Sequence, residues 1–473
     1  MIRRLRHLAA LALASACCLT FPALSQARAG RDAARLSWKG PGPEIGVSRL
    51  GNGLTVILRR DPAAPRVSVH LVYRAGSAHE AHGRTGLAHL LEHLMFEGSE
   101  HVPAGAFDEW LREAGGECNA ATGEDATHYW LDIPPEGLER ALFLESDRMG
   151  YFAGALDETA VDREKRVIAR EAEHVPDASP SLGDEWMARP FLFPDGHPYG
   201  HPVIGNAEDL EVVGIADVLE FHARRYGPSN ACLVVSGPIE VNATRALVEK
   251  WFAGIPGGAG SGIAKSAPPA TSEEKLIVRE SDSPASRLSV QWPSAPLFSR
   301  DHAALALLAS LLAEGHGSYL RRVLVEEQGL AMDVSARQEG LGLGGVFTVE
   351  VEVAPGRSHD AVLRELDRAI SDVVAGGITR DSVRRSREVL ATRFLGQVEA
   401  AGGFRGLDYR INESWALTGD PARYAEELAH YRSLRRSDVR SAAARWLGSG
   451  RVVLSTIGRG RRDLAVGSRE GRP

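Results

Sequence analysis

Cysteine is scarce in this 473-residue chain, and its scarcity excludes two kinds of site. Two of the four cysteines, Cys17 and Cys18, lie in an apolar leader, so only Cys118 and Cys232 remain beyond it. Two cysteines form no disulfide framework, and no C-x-x-C pair is present to hold a metal ion through thiolates. Whether Cys118 and Cys232 pair with each other stays open, because 232 − 118 = 114 residues separate them.

Long apolar runs are also missing after the leader, so no later segment is predicted to span a membrane. Residues 1–29 combine the basic start "MIRRLRH", an apolar stretch and the small-residue sequence "ARA", a pattern typical of a cleaved signal peptide. A membrane anchor is disfavoured because Thr20 and Pro22 interrupt the apolar stretch. Lipoprotein processing at Cys17 is a second alternative, but Ala14 stands where such a signal prefers leucine. The leader therefore predicts an exported protein, with the bacterial periplasm as its destination.

The charge balance excludes little, but it argues against one class of partner. A net charge of −7 spread over this length argues weakly against a surface that binds nucleic acid. A hydrophobic content of 44% and a charged content of 25% are those of a globular protein. The length predicts two or three domains.

The segment "GLAHLLEHLMFEGS" places three ionisable side chains in a leucine-rich helix. At about 100° per residue, the leucines cluster on one face, and His89, Glu92 and His93 lie on the opposite face. Thr85 is the predicted N-cap. Two histidines at positions i and i+4 can hold one zinc ion, and a neighbouring carboxylate can act as a general base. A lone histidine here would more often belong to the core, but three ionisable groups on one face predict a metal site.

The order of predicted strands and helices recurs along the chain. "GLTVILRR" and "RVSVHLVYRAGS" precede the histidine-bearing helix, whereas "KLIVRES" and "SRLSVQWP" precede the helix "DHAALALLASLLAEG". "NACLVVSG" and "RVVLSTIG" then close the two halves. This twofold repeat predicts an N-terminal zinc-binding domain at 30–253 and a C-terminal domain of the same fold at 275–465, joined by a Gly- and Pro-rich linker at 254–274. The second half has no His/Glu cluster on its matching helix, so only the first can carry a metal.

A zinc ion held by two histidines still needs a third protein ligand. The predicted helix "ETAVDREKRVIAREAEHV" offers Glu164 and Glu171, which lie seven residues apart and hence on one face. Taken alone, its many basic residues favour a solvated, charged helix over one that carries metal ligands. The residues alone therefore leave the third ligand open.

These motifs together resemble the pitrilysin family of zinc metallopeptidases, which includes the insulin-degrading enzyme and mitochondrial processing peptidase. H-x-x-E-H is the inverted zinc motif of the inverzincins. The likeness runs from about Gly46 to about Gly458, with further marks in "NAATGEDATHYW", "EKRVIARE", "HPYGHPVIG" and "YGPSNACLVVSG". The resemblance implies an α+β fold of two similar domains, each an antiparallel sheet backed by helices. The two domains would face each other across a chamber that admits flexible peptides.

The resemblance also implies a role for each site residue. His89, His93 and Glu171 would bind one Zn²⁺ ion, and Glu164 would orient a ligand from behind. Glu92 would be the base that deprotonates the zinc-bound water, giving peptide hydrolysis without a covalent intermediate. Asn119 and Ala120, in the stretch "ECNAATGEDATHYW", match positions that contact a peptide lying along a strand; without the resemblance, Asn119 reads equally well as a turn residue.

The function expected from these observations is that of an exported zinc endopeptidase. Two alternatives stay open: a non-catalytic scaffold or assembly subunit of the same family, and a zinc hydrolase of a non-peptide substrate. In relatives that are active as single chains, an arginine and a tyrosine from the second half reach the substrate. The matching positions here are Val325 and Met332, with Arg321 and Arg322 three or four residues away. The absence of this arginine and tyrosine predicts a heterodimer, in which a companion of the same fold lacking the zinc motif supplies both side chains. The alternative is a monomer or homodimer that uses other side chains.

Overall fold

The computed structural model describes residues 45–193, 196–260, 271, 273–281, 286–399, 402–403, 406–448 and 450–467. The predicted signal peptide lies outside these residues, as does most of the predicted linker. The described chain forms two sheets from eleven strands: β1 Ile45–Arg49, β2 Thr55–Arg60, β3 Val67–Tyr73, β4 Glu117–Thr122, β5 Thr127–Ile133, β6 Ala231–Gly237, β7 Glu274–Ser281, β8 Ser286–Ser294, β9 Ala331–Gly340, β10 Gly345–Val353 and β11 Arg451–Gly458.

Helices fill the connections between the strands. Those of the first half are α1 Leu87–Leu94, α2 Ala106–Glu113, α3 Leu138–Tyr151, α4 Glu158–Ala178, α5 Pro180–Leu192, α6 Ala207–Val212, α7 Ile215–Arg225 and α8 Val241–Phe252. Those of the second half are α9 Arg300–Ala313, α10 His359–Ala375, α11 Arg380–Glu399, α12 Leu407–Thr418, α13 Tyr424–Ser433 and α14 Arg436–Trp446, together with a π-helical segment at Arg321–Glu327.

The two sheets repeat one strand order, which confirms the predicted twofold repeat. The first runs β2-β6-β3-β5-β4, with β1 added outside β2, and the second runs β7-β11-β8-β10-β9. Helix α1 connects β3 to β4, and α9 connects β8 to β9, so the metal-motif helix and the apolar helix occupy matching places. Neither sheet is purely antiparallel: the last strand of each half lies parallel to the first of its repeat, as β2 with β6 and β7 with β11.

Each half covers one face of the other half's sheet. Helix α12 packs on β3 and β6 of the first sheet, and α5 packs on β8 and β11 of the second. The alternation along β3 explains the arrangement: Val69 and Leu71 belong to the core of the first half, whereas Val72 on the opposite face belongs to the core that includes α12. Both faces of the central strands are therefore buried.

The two remaining cysteines are free in the structure. Cys118 lies on β4 and Cys232 on β6, and β3 and β5 separate these strands in the sheet. Among the residues described, no helix is both long and apolar enough to cross a bilayer.

Candidate metal centre

Helix α1 presents its three ionisable side chains as the sequence predicts. Its four leucines are buried, and His89, Glu92 and His93 lie on the more open face, with the two imidazole rings 4.8 Å apart between centroids. The predicted N-cap is wrong by one residue. Gly86 occupies that position with φ = 86°, and the Thr85 hydroxyl instead donates to Asp209 at 2.6 Å.

Helix α4 packs against α1 and brings the distal acids to the histidines. The Glu171 carboxylate lies 3.8 Å from His89 Nε2 and 3.7 Å from His93 Nε2. These three ligand atoms lie within 4.8 Å of one another, and among the residues described they form the one such group of three. Tetrahedral zinc ligands lie about 3.4 Å apart, so a small contraction around an ion would complete the geometry.

Glu164 lies behind this group and not within it. Its carboxylate is 3.2 Å from His93 Nδ1, the ring nitrogen on the side away from Glu171. A hydrogen bond from Nδ1–H to Glu164 leaves the Nε2 lone pair of His93 free for a metal. Glu164 is nearly buried and also contacts the Arg163 guanidinium at 3.3 Å, whereas the Glu171 side chain is 43% exposed.

The electrostatics of α1 suit a metal ligand beside a proton acceptor. Burial, and next the neighbouring His93, lower the pKa of His89 to about 3, which keeps this imidazole neutral and able to coordinate. Burial raises the pKa of Glu92 above its ordinary value, although hydrogen bonds from Thr122 oppose the effect. His89 Nδ1 is buried without a hydrogen-bond partner among the described residues. Two imidazoles and one carboxylate are a set of ligands that fits zinc.

Asn119 and Ala120 lie apart from the metal group, on strand β4. This strand is the last in its sheet, and its outer edge pairs with no described strand. The Asn119 side-chain oxygen accepts a hydrogen bond from the Ala120 N–H at 2.8 Å. These two residues do not belong to the cavity wall, whereas Ala121 and Thr122, the next along the strand, do.

Thr122 is the site residue that sequence reasoning missed. Its hydroxyl donates to the Glu92 carboxylate at 2.5 Å. The residue stands in the stretch "NAATGEDATHYW", in which the family resemblance implies a role for Asn119 and Ala120 alone. Nothing in the residue pattern indicates that the end of a strand about thirty positions after Glu92 returns to that side chain; the spacing is 122 − 92 = 30.

A cavity of about 1140 Å³ opens beside the metal group and is lined by both halves. His89, Glu92 and Glu171 stand on its wall from the first half, and Arg393 and Arg410 stand on it from the second. The positions matched to the missing arginine and tyrosine do not reach it among the described residues. Val325 packs against the core of the second half, and Met332 is 58% exposed. Of the nearby arginines, Arg321 pairs with Asp333 at 2.6 Å, and Arg322 pairs with Glu327.

Two family models match the chain. Residues 55–188 match "Insulinase (Peptidase family M16)", and residues 213–390 match "Peptidase M16 inactive domain". The chain is 27% identical over 392 residues to the zinc protease PqqE of Helicobacter pylori, covering 78% of this chain and 84% of the relative. It is 30% identical over 347 residues to an uncharacterized zinc protease of Mycobacterium leprae, covering 71% and 75%. Mitochondrial-processing peptidase subunit beta of Blastocladiella emersonii is 28% identical over 279 residues, which is 59% of this chain and 58% of the subunit.

Solved structures show the same two-domain fold. A protease from Helicobacter pylori superposes with a TM-score of 0.79 at 23% identity, covering 88% of this chain and 99% of that one. The first half of the periplasmic protease PqqL from Escherichia coli superposes with a TM-score of 0.72 at 18% identity, covering 90% and 94%. The predicted fold class is thereby confirmed. The sequence matches identify the chain as a member of peptidase family M16, the insulinase or pitrilysin-type family, whose members include proteins named zinc proteases.

Proposed function

We propose that this chain is an exported zinc endopeptidase that hydrolyses flexible peptides or unfolded segments. The observation that carries the proposal is the convergence of His89, His93 and Glu171 on one point, beside the Glu92 carboxylate and on the wall of a large cavity. Two imidazoles and one carboxylate are typical of catalytic zinc sites, which keep a fourth position open. The zinc proteases among the chain's relatives agree with this proposal.

Each side chain has a defined task in the proposed reaction. His89, His93 and Glu171 would hold the ion, and Glu164 would fix the orientation of His93 through Nδ1. A zinc ion bound there would lower the pKa of water and polarise the scissile carbonyl. Glu92 accepts the proton that the attacking water loses, and it delivers that proton to the amide nitrogen as the C–N bond breaks. The Glu92 carboxylate thus returns to its starting form.

The substrate would bind as an extra strand on the outer edge of β4. An unpaired edge offers main-chain hydrogen bonds to any extended peptide, with little demand on its sequence. The Ala120 N–H, now bound by the Asn119 side chain, would turn to the substrate once that side chain moves away. The cavity volume of about 1140 Å³ suits an extended segment and is far too small for a folded domain.

We also propose a companion subunit of the same fold that lacks the zinc motif. Val325 and Met332 replace the expected arginine and tyrosine and stand away from the cavity wall, so neither can stabilise a developing oxyanion. The companion would supply those donors. In this chain itself, residues 1–29 would act as the signal for export to the periplasm. Its two domains would divide at the proposed linker, 254–274.

Digestion of an unstructured peptide with and without a chelator tests the function. We expect cleavage that stops when the chelator removes zinc and returns when zinc is added back. If the zinc-loaded protein, alone and with candidate companions, cleaves no peptide, the endopeptidase proposal fails and the scaffold alternative gains support. Turnover of esters or other non-peptide substrates without peptide cleavage would favour the third alternative.

A further inference from the structure

Thr122, at the end of strand β4, holds the carboxylate of Glu92 through its hydroxyl. This hydroxyl donates to Glu92 Oε2. We propose that Thr122 is a positioning residue that fixes the Glu92 carboxylate and couples it to the substrate strand. The inference rests on the proposed function, because it assigns Glu92 the part of general base.

The proton inventory around Thr122 shows why its hydroxyl points to Glu92. The Thr127 hydroxyl stands 3.3 Å away but donates its single proton to the backbone oxygen of Ala75 at 2.9 Å. Thr127 also accepts a hydrogen bond from the Tyr226 hydroxyl at 3.2 Å. Thr127 therefore has no proton left for Thr122, and the one proton of Thr122 is free for the carboxylate. The surrounding hydroxyls leave the ionised form of Glu92 with a single, fixed donor on this side.

The backbone at Thr122 is itself held in place. Thr122 and Thr127 face each other at the end of the β4–β5 pairing, just before the turn that joins the two strands. The backbone N–H groups of Ser77 and Ala78 donate to the oxygens of that turn, at Gly123 and Glu124, over 3.2 and 2.9 Å. A side chain mounted on such a fixed turn can hold its partner in one orientation.

Strand β4 connects this hydrogen bond to the proposed substrate edge. Gly123 and Ala126 form a hydrogen-bonded pair at the turn, so alternate residues beyond it, Thr122 and Ala120, direct their N–H groups to the outer edge. The Ala120 N–H now donates to its neighbour's side chain, Asn119, and becomes available to a peptide once that side chain moves away. A peptide paired with the outer edge of β4 would therefore run toward Thr122, whose hydroxyl anchors Glu92, and this places the scissile bond beside the base.

Substitution at Thr122 tests this role through kcat and KM measured separately. Thr122→Val keeps the side-chain shape and removes the hydroxyl. We expect it to lower kcat about ten- to a hundred-fold, since misplacement of a reacting group by about 1 Å costs on that order, while KM stays within about twofold and zinc content is unchanged. Thr122→Ser restores the hydroxyl and should recover most of the rate. Thr159→Val, at an exposed position on α4, is the control for the same change of side chain.

A second measurement needs no activity at all. Thr122→Val, Glu92→Ala and the double variant form a double-mutant cycle on the unfolding of metal-free protein. We expect the unfolding constants to be non-additive by at least about fivefold. Additive effects, an unchanged kcat in Thr122→Val, or equal losses in the valine and serine variants would each overturn the positioning role. If the unmodified protein cleaves no peptide although the cycle is non-additive, the proposed function fails and the contact between Thr122 and Glu92 stands.

Discussion

At the scale of single residues, Glu92 and Glu171 differ in how far their carboxylates are buried, and this difference suits them to different roles. Glu92 is largely enclosed and its pKa is raised by that burial, which suits a group that must take and release a proton. Glu171 is 43% exposed and touches both histidines, which suits a ligand that faces an open cavity. The expected effects of substitution follow from this division.

Replacing Glu92 with glutamine should abolish turnover and leave the metal in place. The amide has nearly the same shape and can still accept the hydrogen bond from Thr122, but it cannot accept a proton. We expect zinc content equal to that of the unmodified protein and peptide cleavage below a few per cent. Metal analysis and a peptide assay check both, with the exposed Glu113→Gln as control. Cleavage above that level would remove Glu92 from the role of base.

Replacing the two distal acids should separate a ligand from its support. Glu171→Ala removes an oxygen that faces both Nε2 atoms, so zinc content should fall sharply. Glu164→Ala removes only the partner of His93 Nδ1, so affinity should fall about ten- to a hundred-fold and some zinc should remain. Zinc titration of the metal-free variants measures the difference. Equal affinity in Glu171→Ala and the unmodified protein would exclude Glu171 from the site.

At the scale of elements, helix α1 owes its fixed start to Glu80. This buried carboxylate accepts hydrogen bonds from the N–H groups of Gly86 and Ala88, at 2.9 and 2.7 Å. Both are donors that the first turn of a helix leaves unpaired. Because His89 follows directly, the same contacts set the direction of the first of the proposed metal ligands.

Removing that carboxylate should destabilise the fold and loosen the metal site together. Glu80→Ala leaves two buried donors unsatisfied, which costs on the order of 2–3 kcal/mol in the free energy of unfolding. Zinc affinity should fall as well, because the start of α1 is no longer held. Denaturant unfolding and zinc titration measure the two effects. The exposed Glu109→Ala on α2 should change neither by more than about 0.5 kcal/mol, and a Glu80→Ala protein as stable as this control would contradict the role.

Two buried histidines, His70 on β3 and His128 on β5, contact helix α12 through Tyr409. The stability of this contact should depend on pH. His128 Nδ1 lies 3.2 Å from His70 Nε2, and the His128 ring stacks on Tyr409 at 4.2 Å. Burial lowers the pKa of His128 to about 3, against about 6.5 in the unfolded chain. Between these values the unfolded chain binds more protons, so the free energy of unfolding falls as the pH drops below about 6.5.

The loss should amount to about 2 kcal/mol at pH 5 for His128 alone. Denaturant unfolding of metal-free protein from pH 7.5 to 5 measures it. His128→Gln should reduce the loss by about 2 kcal/mol and leave the share of the other buried histidines, whereas the exposed His316→Gln should leave the loss unchanged. An equal slope in the His128→Gln variant would show that other groups carry the acid sensitivity.

At the scale of the whole molecule, the two halves are bound to each other too closely to act as separate bodies. Asn412 on α12 donates to the backbone oxygen of His70 at 2.9 Å, and Arg74 donates to the oxygen of Trp415 at 2.7 Å while stacking on its ring. At a second contact between the halves, Arg287 on β8 of the second half pairs with Asp184 on α5 of the first half. The cavity between the halves is therefore a fixed feature of one chain.

Mixing the purified chain with a companion of the same fold that lacks the zinc motif should raise peptidase activity. Supplying one oxyanion donor is worth about a hundred- to a thousand-fold in rate, so we expect an increase of that order and a one-to-one complex on a sizing column. A companion with its own arginine and tyrosine replaced is the control. Full activity of the isolated chain, unchanged by any companion, would favour a single-chain enzyme that uses other cavity residues such as Arg393 or Arg410.

The sequence by itself determined those features that depend on near neighbours along the chain. His89, Glu92 and His93 fall within five residues, so one turn of helix places them together whatever the rest of the protein does. The twofold order of strands and helices follows from hydrophobic periodicity in each half, and the two sheets repeat it. These predictions are confirmed because the forces that set them act within one element.

Only the tertiary structure decided which distant residues join the site and which faces are buried. Glu171 lies 171 − 93 = 78 residues beyond His93, and it reaches the histidines because α4 packs on α1. Alternation along β3 would leave Ser68 and His70 facing solvent, yet α12, more than three hundred residues later, covers both. The contact of Thr122 with Glu92 depends likewise on the end of one strand meeting a separate helix. Such contacts depend on how elements pack across long stretches of chain, which periodicity and spacing within each element do not encode.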